Sequence, residues 1–527
     1  MLVRSLSGLK NLYLDIVNIS ANGREWSQAL SSSLPNLQVL SVRSCYLSGP
    51  ISPSLVKLLQ GSFQNFPPNA SLQSLAVVDT DFGGQLPESI GNLGQLTWIE
   101  LTNCKFTGPI PKTLVKLTQL IHLDFSYNNF SGSVPSFTSS SLPNLVRLIL
   151  RRNSFSGAVP PALFQSESLK VMDLAENQFS GGFGEVKGEL SSVLDVIDLS
   201  HNRLQGQFPM FVSEIQGLQY LSLSWNKFSG LVPLSEFQKL ENLSSLDLSY
   251  NNLSIDSSFT NLPLPLLPPF PNVTHLYLAS CNLTKFPEFL KNLSNLRHLD
   301  LSNNRIHGEI PSWIWETRLE HLNLSLNFLV QLERPSHISP YMFELDLHGN
   351  QLQGKMPFFP LRALYLDYSN NNFSSVITPE IGDFPQLVSF LSLSRNNFNG
   401  SIPESICNSS SLYALDLSNN SLSGSIPQCL MTQMSMSLGV LNLKQNNLSG
   451  IISDTFPEHC RLQTLDLNQN RLGGKVPKSL DNCRMLEVLD LGNNQIDDTF
   501  PCHLKSTSGL RVLVLRSNNS IEYSRIF

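Results

Sequence analysis

An α/β repeat solenoid with a parallel β-sheet on its concave face is the architecture this sequence predicts, and three observations predict it. A frame of about 24 residues recurs along nearly the whole chain. Only 14% of the 527 residues are charged, against about 25% for an average soluble domain. Glycine (30) and proline (32) are spread evenly, so no linker divides the chain into the three or four globular domains its length would otherwise suggest.

The frame is L-x-x-L-x-L-x-x-N-x-(L/F). It appears as LIHLDFSYNNF (120–130), LVRLILRRNSF (145–155), LQYLSLSWNKF (218–228), LYALDLSNNSL (412–422) and LQTLDLNQNRL (462–472). Its Asn position gives 21 register marks from Val17, Cys45, Thr80 and Cys104 through Asn128 and Cys281 to Asn518, mostly 23 to 25 apart. That spacing predicts a leucine-rich-repeat superhelix of about 21 turns. Each turn sets a short strand beside the previous one, and period-2 alternation sends leucines inward and the intervening residues to the concave surface. An inward Asn offers two donors and one acceptor to backbone groups that a tight turn leaves unpaired. Cys45, Cys104, Cys281 and Thr80 fit the same slot, so these cysteines read as structural thiols. The low charge follows, because only the concave and convex x positions are free to be polar.

After each strand the frame continues as F-T-G-P-I-P-K-T-L (106–114) or L-G-G-K-V-P-K-S-L (472–480), where Gly permits a tight turn and Pro fixes φ. The expected organisation is repeats over 1–54, an irregular junction at 55–70, repeats over 71–260, a proline-rich loop at 261–271, repeats over 272–519 and a non-repeat tail at 520–527. The 35-residue step from Cys45 to Thr80 suggests that whole repeats are missing at the junction.

Several function classes fall away. A net charge of −6 argues against nucleic acid as a partner. No run of 18 apolar residues exists, and the opening MLVRSLSGLKNLYLD has neither an apolar core nor a cleavage site, so neither a membrane span nor a signal peptide is expected. Catalytic frames are missing, and Gly182, Gly184 and Gly188 have the wrong spacing for a phosphate loop. The chain reads as a binding protein, not an enzyme, and no cofactor is expected.

The extension (L/F)-x-G-x-(I/V)-P looks like the plant-specific class of leucine-rich repeats. More narrowly, SLPNLQVLSVRSCYLSGPI, GSIPESICNSSSLYALDLSNNSLSGSIPQCL and LEVLDLGNNQIDDTFPCHLKSTSGLRVLVLRSN resemble the ectodomain of plant receptor-like proteins of the Verticillium-wilt-resistance type. The resemblance implies a plasma-membrane immune receptor facing outward. It would sense a microbial or self-derived peptide or protein, lack a kinase, and signal through adaptor and co-receptor leucine-rich-repeat kinases. It also implies a leader, end caps and a membrane anchor not seen in this sequence, which reads as a truncated product. Polygalacturonase-inhibiting proteins and receptor-kinase ectodomains use the same repeat and are the alternatives.

Information about a ligand lies where concave positions depart from the recurrent Asp. Trp98, Glu100, Arg147, Ile149, Arg151, Arg152, Tyr220, Trp225 and Tyr277 form an aromatic and arginine-bearing band, the composition of binding hot spots. His275, His298 and His321 recur at one repeat position with Glu344 following. A metal needs converging ligands, whereas a column spaced by about 4.8 Å diverges. No metal is therefore expected; a pH-sensing column is the functional reading, and solvated polar side chains are the plain one. Sequons stand at Asn18, Asn69, Asn129, Asn242, Asn252, Asn272, Asn282, Asn292, Asn323, Asn372, Asn399, Asn408, Asn419, Asn447 and Asn518, as expected for a secreted glycoprotein. Cys407 with Cys429 and Cys460 with Cys483 lie one turn apart, close enough for lateral disulfides, leaving Cys502 unpaired.

Overall fold

Inward leucines alternate with outward residues for only a few positions per turn, and strands of three residues result, lengthened to five at Val39–Arg43, Ser74–Val78 and Trp98–Thr102. The computed structural model describes residues 8–17, 36–45, 48–50, 71–138, 140–184, 186, 188–256, 270, 272–332, 339–383 and 387–522. They fall into two compact units, Met1–Cys281 and Asn282–Phe527. The junction at 55–70, nearly all of the loop at 261–271, the tail beyond residue 522 and the sequons Asn18 and Asn69 lie outside the described residues.

In the first unit, 11 parallel strands run from Asn11–Tyr13 to His275–Tyr277, each paired with the strand of the preceding and following turn. The register is constant: Trp98 faces His122, which faces Arg147, then Val171, Val196, Tyr220, Ser245 and His275. The second unit repeats the arrangement with 10 strands from His298–Asp300 to Val512–Val514. The leucine-rich-repeat solenoid read from the sequence is the fold observed. Leu123, Leu148, Ile197 and Leu221 are fully buried beneath the first sheet, as are Leu322, Leu345, Leu366 and Leu391 beneath the second.

The Asn column works as its valences require. Asn177 Nδ2 donates to the carbonyls of Leu150 (2.9 Å), Leu174 (3.1 Å) and Ala175 (3.0 Å), and its Oδ1 accepts the Phe155 amide at 3.0 Å. The same bonds recur at Asn202 and Asn226 and, in the second unit, at Asn327, Asn396 and Asn494. Cys281 Sγ donates weakly to the Leu248 and Ala279 carbonyls at 3.6 and 3.5 Å. Cys104 is half-buried, less enclosed than its companions Cys45 and Cys281, and lies 3.2 Å from the Thr80 hydroxyl. Burial pushes its thiol upward in spite of that hydroxyl, so it stays protonated and unreactive at neutral pH.

The sequence did not announce a second sheet. Residues just past the ladder Asn pair in parallel as well: among the described residues, nine short strands in the first unit from Ser48–Pro50 to Asn252–Asp256, and ten in the second, as two pairs (His307–Ile310 with Phe328–Leu332, Gln353–Gly354 with Asn372–Phe373) and a run of six from Asn399–Gly400 to Ser520–Glu522. Beneath them Phe106, Phe130, Phe155 and Phe179 stack at centroid distances of 5.8, 6.0 and 6.4 Å. Gly108 closes one such strand at φ +78°, and an added Cβ would meet the Gln85 side chain at 2.8 Å. Because that side chain can move, backbone strain sets the cost: Gly108→Ala is expected to lose about 1 kcal/mol in urea denaturation. Proline then opens a 3-10 turn on the far side, as Pro111 does for Lys112–Lys116.

Candidate ligand-binding surface

In the first unit the concave band is built from three columns. Trp98 and His122 occupy the first, on adjacent strands, with rings stacked at 3.7 Å and 8°. His122 was not singled out by sequence; its signal was the shared register position with Trp98. It is 5% exposed, and burial lowers its pKa, so the imidazole is neutral. Glu100, in the second column, accepts from Trp98 Nε1 at 3.2 Å and from Arg43 Nη2 at 2.7 Å. The carboxylate therefore fixes the indole while its charge is matched. Arg147 is exposed, beside His122, and enters no ion pair among the described residues.

Arg151 sits differently from a waiting hot spot. Its guanidinium is half-buried, 2.6 Å from Glu176 and 3.7 Å from Asp198, so its charge is already engaged. Between them lies Asp173, whose carboxyl is raised to about 6, first by burial and then by Asp198 on the next strand. Tyr220 is half-buried and its hydroxyl is held well above the usual tyrosine range by burial and by Asp198 and Asp247. Ile149 is half-buried between Asp124 and Asp173 in the register. Tyr277 lies at the far strand with its ring 6.2 Å from that of His275.

The third column is the residue just before the ladder position, where the chain leaves the strand with φ near +50°. Left-handed backbone costs a side-chain-bearing residue about 1–2 kcal/mol, with Asn and Asp tolerating it best. The second unit uses Asn303, Gly349, Asn370, Asn419 and Asn493 at five of these places and Leu326, Arg395, Gln445, Gln469 and Ser517 at the others, so that no more than two such residues follow one another without an Asn or Gly. Six successive turns of the first unit use neither Asn nor Gly: Tyr127, Arg152, Glu176, His201, Trp225 and Tyr250, with φ between 52° and 56°. They contact one another. Arg152 lies 5.2 Å from the Tyr127 centroid and 3.8 Å from Glu176; Trp225 stacks on Tyr250 at 4.1 Å and on His201 at 5.3 Å. Trp225 is 49% exposed.

In the second unit His298, His321 and Glu344 occupy adjacent positions on paired strands. The two imidazoles stack at 4.2 Å, and Glu344 Oε2 is 2.7 Å from His321 Nδ1. His275 belongs to the first unit, where it faces Ser245 and its Nδ1 lies 2.7 Å from the Thr274 hydroxyl. A second cluster, Asp346, His348 and Asp367, lies further along, with His348 Nδ1 2.7 Å from Asp346; that bond raises the histidine's pKa.

The remaining candidates are structural in setting. Phe183, between Gly182 and Gly184, packs against Phe164, Phe211 and Phe228. Disulfides join Cys407 to Cys429 and Cys460 to Cys483, and Cys502 is exposed. Asn129, Asn242, Asn252, Asn272, Asn282, Asn292, Asn372, Asn399 and Asn408 are exposed, whereas Asn323, Asn419 and Asn447 are half-buried. Asn518 differs: its amide serves the ladder, donating to Leu491 and Leu515, so a glycan there would remove a donor the turn uses.

The comparisons agree with this architecture. Models described as "Leucine rich repeat" match residues 192–253 and 436–496, "Leucine Rich Repeat" matches 36–58, 119–140, 388–409 and 411–432, and "Leucine Rich repeats (2 copies)" matches 271–313. The chain is a leucine-rich-repeat protein. It is a relative of the plant receptor-like proteins: it is 42% identical over 142 residues to Receptor-like protein 54 of Arabidopsis thaliana, covering 26% of this chain and 18% of that one. Receptor like protein 27 of the same plant is 38% identical over 250 residues, 47% of this chain and 28% of its own length. The chain thus matches less than a third of either relative. Among solved structures, the PEPR1–AtPEP1 complex superposes with a TM-score of 0.72 at 28% identity, covering 97% of this chain and 69% of that one. The Arabidopsis receptor kinase HAESA ectodomain, solved with a peptide hormone ligand, superposes at 0.63 with 28% identity, covering 93% and 76%. No helix among the described residues is long and apolar enough to cross a membrane.

Proposed function

We propose that this chain is the ligand-recognition part of a plant cell-surface immune receptor-like protein. It binds a peptide or protein of microbial or self origin on the concave face of the first unit and signals through a partner leucine-rich-repeat receptor kinase. The observation that carries the reading is the run of six bulky or charged residues in left-handed backbone, from Tyr127 to Tyr250. Asn or Gly would hold those turns at lower cost, and single departures occur in the second unit as well; what supports the reading is the unbroken run of six, with its ring and charge contacts and the exposed Trp225. The relatives' names and the peptide complexes among the similar structures support the receptor reading.

The engaged charges sharpen which residues meet the ligand. Arg151 and Glu100 orient their neighbours, while Trp98, Arg147, Arg152 and Trp225 present free surface. Calorimetry of the chain against peptides from microbial and plant cell-wall extracts should identify a binder that Trp98→Ala and Trp225→Ala each weaken about tenfold. Unchanged affinity in both variants would remove the first unit as the binding face. A defence output, read as an oxidative burst in leaves expressing the full receptor, should follow the same ranking; a burst indifferent to these changes would sink the immune reading.

A further inference from the structure

We propose that Asn372 carries an N-linked glycan whose first sugars lie folded into a cleft on the flank of the second unit, where the second sheet is interrupted. This rests on the cell-surface reading in one respect, since the modification is made on chains that enter the secretory pathway.

The cleft adjoins a short turn. Asn350 and Asn371 are 21 residues apart, where most turns take 23 to 25. The strand Gln353–Gly354 pairs with Asn372–Phe373 alone, and Phe328–Leu332 on its other side pairs only with His307–Ile310. The opening left there is about 800 Å³, within the range of small-ligand pockets. Gly354 shows the room: its φ is +105°, and an added Cβ would meet nothing within 4 Å. Gln331, Gln353 and Asn397 line the opening with carboxamides, each offering donors and an acceptor, and those of Gln331 and Gln353 have no partner among the described residues. Leu332 and Met356 add apolar surface, and no carboxylate is among the lining groups. Ring hydroxyls and an N-acetyl group call for that mixture of paired donors, acceptors and apolar contact.

The attachment point stands on the wall of the cleft. Asn372, in the sequon Asn372-Phe373-Ser374, is exposed; its Oδ1 lies 3.5 Å from Asn397 Nδ2, and its own Nδ2 donates to nothing among the described residues. Nδ2 is the atom that bonds C1 of the first N-acetylglucosamine. The C1–oxygen bond to a lipid-pyrophosphate donor breaks, the pyrophosphate leaves with the electron pair, and Nδ2 gives up one proton. Other sequons have that atom engaged. Asn272 Nδ2 donates to the Glu241 carbonyl at 2.7 Å, Asn419 Nδ2 to Ser418 Oγ at 3.1 Å, and Asn518 Nδ2 to two ladder carbonyls. Asn129 stands at the same place in its turn as Asn372, but its strand is paired on both sides, so no gap in the sheet adjoins it.

The test is glycopeptide mapping by mass spectrometry of the whole chain, produced through the secretory pathway of plant cells, during digestion of the folded protein with an N-glycanase. Asn372 should be occupied, and its glycan should be released about tenfold more slowly than that on Asn129, with the difference gone after denaturation. Changing the exposed pair Gln331→Ala and Gln353→Ala together should keep Asn372 occupied and speed release to the Asn129 rate. Asn372→Gln should lower Tm by about 2–4 °C, whereas Asn129→Gln should leave it unchanged. Asn372 bare while Asn129 and Asn252 are occupied overturns the proposal and leaves the receptor reading standing; no sequon occupied at all overturns both. Release at Asn372 as fast as at Asn129 means a glycan pointing to solvent and a cleft kept for another occupant, a free oligosaccharide or a peptide, and overturns the proposal as well.

Discussion

Replacing Asn226 by Ala is expected to lower the stability of the first unit by about 3 kcal/mol. The side chain makes four hydrogen bonds: Nδ2 to the carbonyls of Leu199, Leu223 and Ser224, and Oδ1 from the Leu204 amide. Those carbonyls have second donors. Leu199 keeps Asn202, Leu223 keeps Asn251, and Ser224 keeps the His201 amide. The Leu204 amide has no such reserve, and an orphaned buried N–H costs about 1–3 kcal/mol. The weakened carbonyls and the small void add to it. Asn226→Asp should be worse than Ala at pH 7, because it keeps the acceptor but turns a carboxylate toward three carbonyls. Equilibrium denaturation of the two variants checks the order; Asp milder than Ala would show that the donors matter less than the acceptor.

Replacing Asp173 by Asn should do the opposite, raising stability at pH 7 by about 2 kcal/mol while making little difference at pH 4. The folded carboxyl titrates at about 6 rather than 3.8, because it is buried and faces Asp198. Between those two values the folded state holds more protons than the unfolded one, so stability falls as pH rises through that window. At pH 7 the full penalty is present; at pH 4 the Asp173 carboxyl is protonated in the fold and most of the penalty is gone. Asn removes the charge yet keeps an oxygen for the Ala175 amide, which Asp173 Oδ1 accepts at 3.1 Å. Melting temperatures across pH 4 to 7 test this. A pH-independent difference between the two proteins would refute it.

The repeat made the fold legible. Leucines at fixed spacing determine which face is inward, and a buried Asn has only one way to use three hydrogen-bonding groups, so sheet, ladder and register could be stated from residue types alone. The second sheet was hidden because its strands are two to seven residues long and its pattern, F-x-G, reads equally as a turn. The candidate site was legible as a set of positions but not as a set of states. Sequence places Arg151 on the concave face; only coordinates show that Glu176 and Asp198 hold it. His122 was overlooked because one histidine among x positions carries no pattern, and its burial comes from the indole of Trp98 one turn back.

Every bond of a ladder Asn ends in its own turn or in the one before. Each joint made by a ladder Asn is therefore chemically the same joint, and a block of 23 to 25 residues between two of them can be gained, lost or exchanged between related genes without rewriting what flanks it. Inheritance can then act on whole turns. Unequal recombination would reshuffle the concave columns, and with them what the surface recognises, while leaving the hydrogen-bonded spine intact.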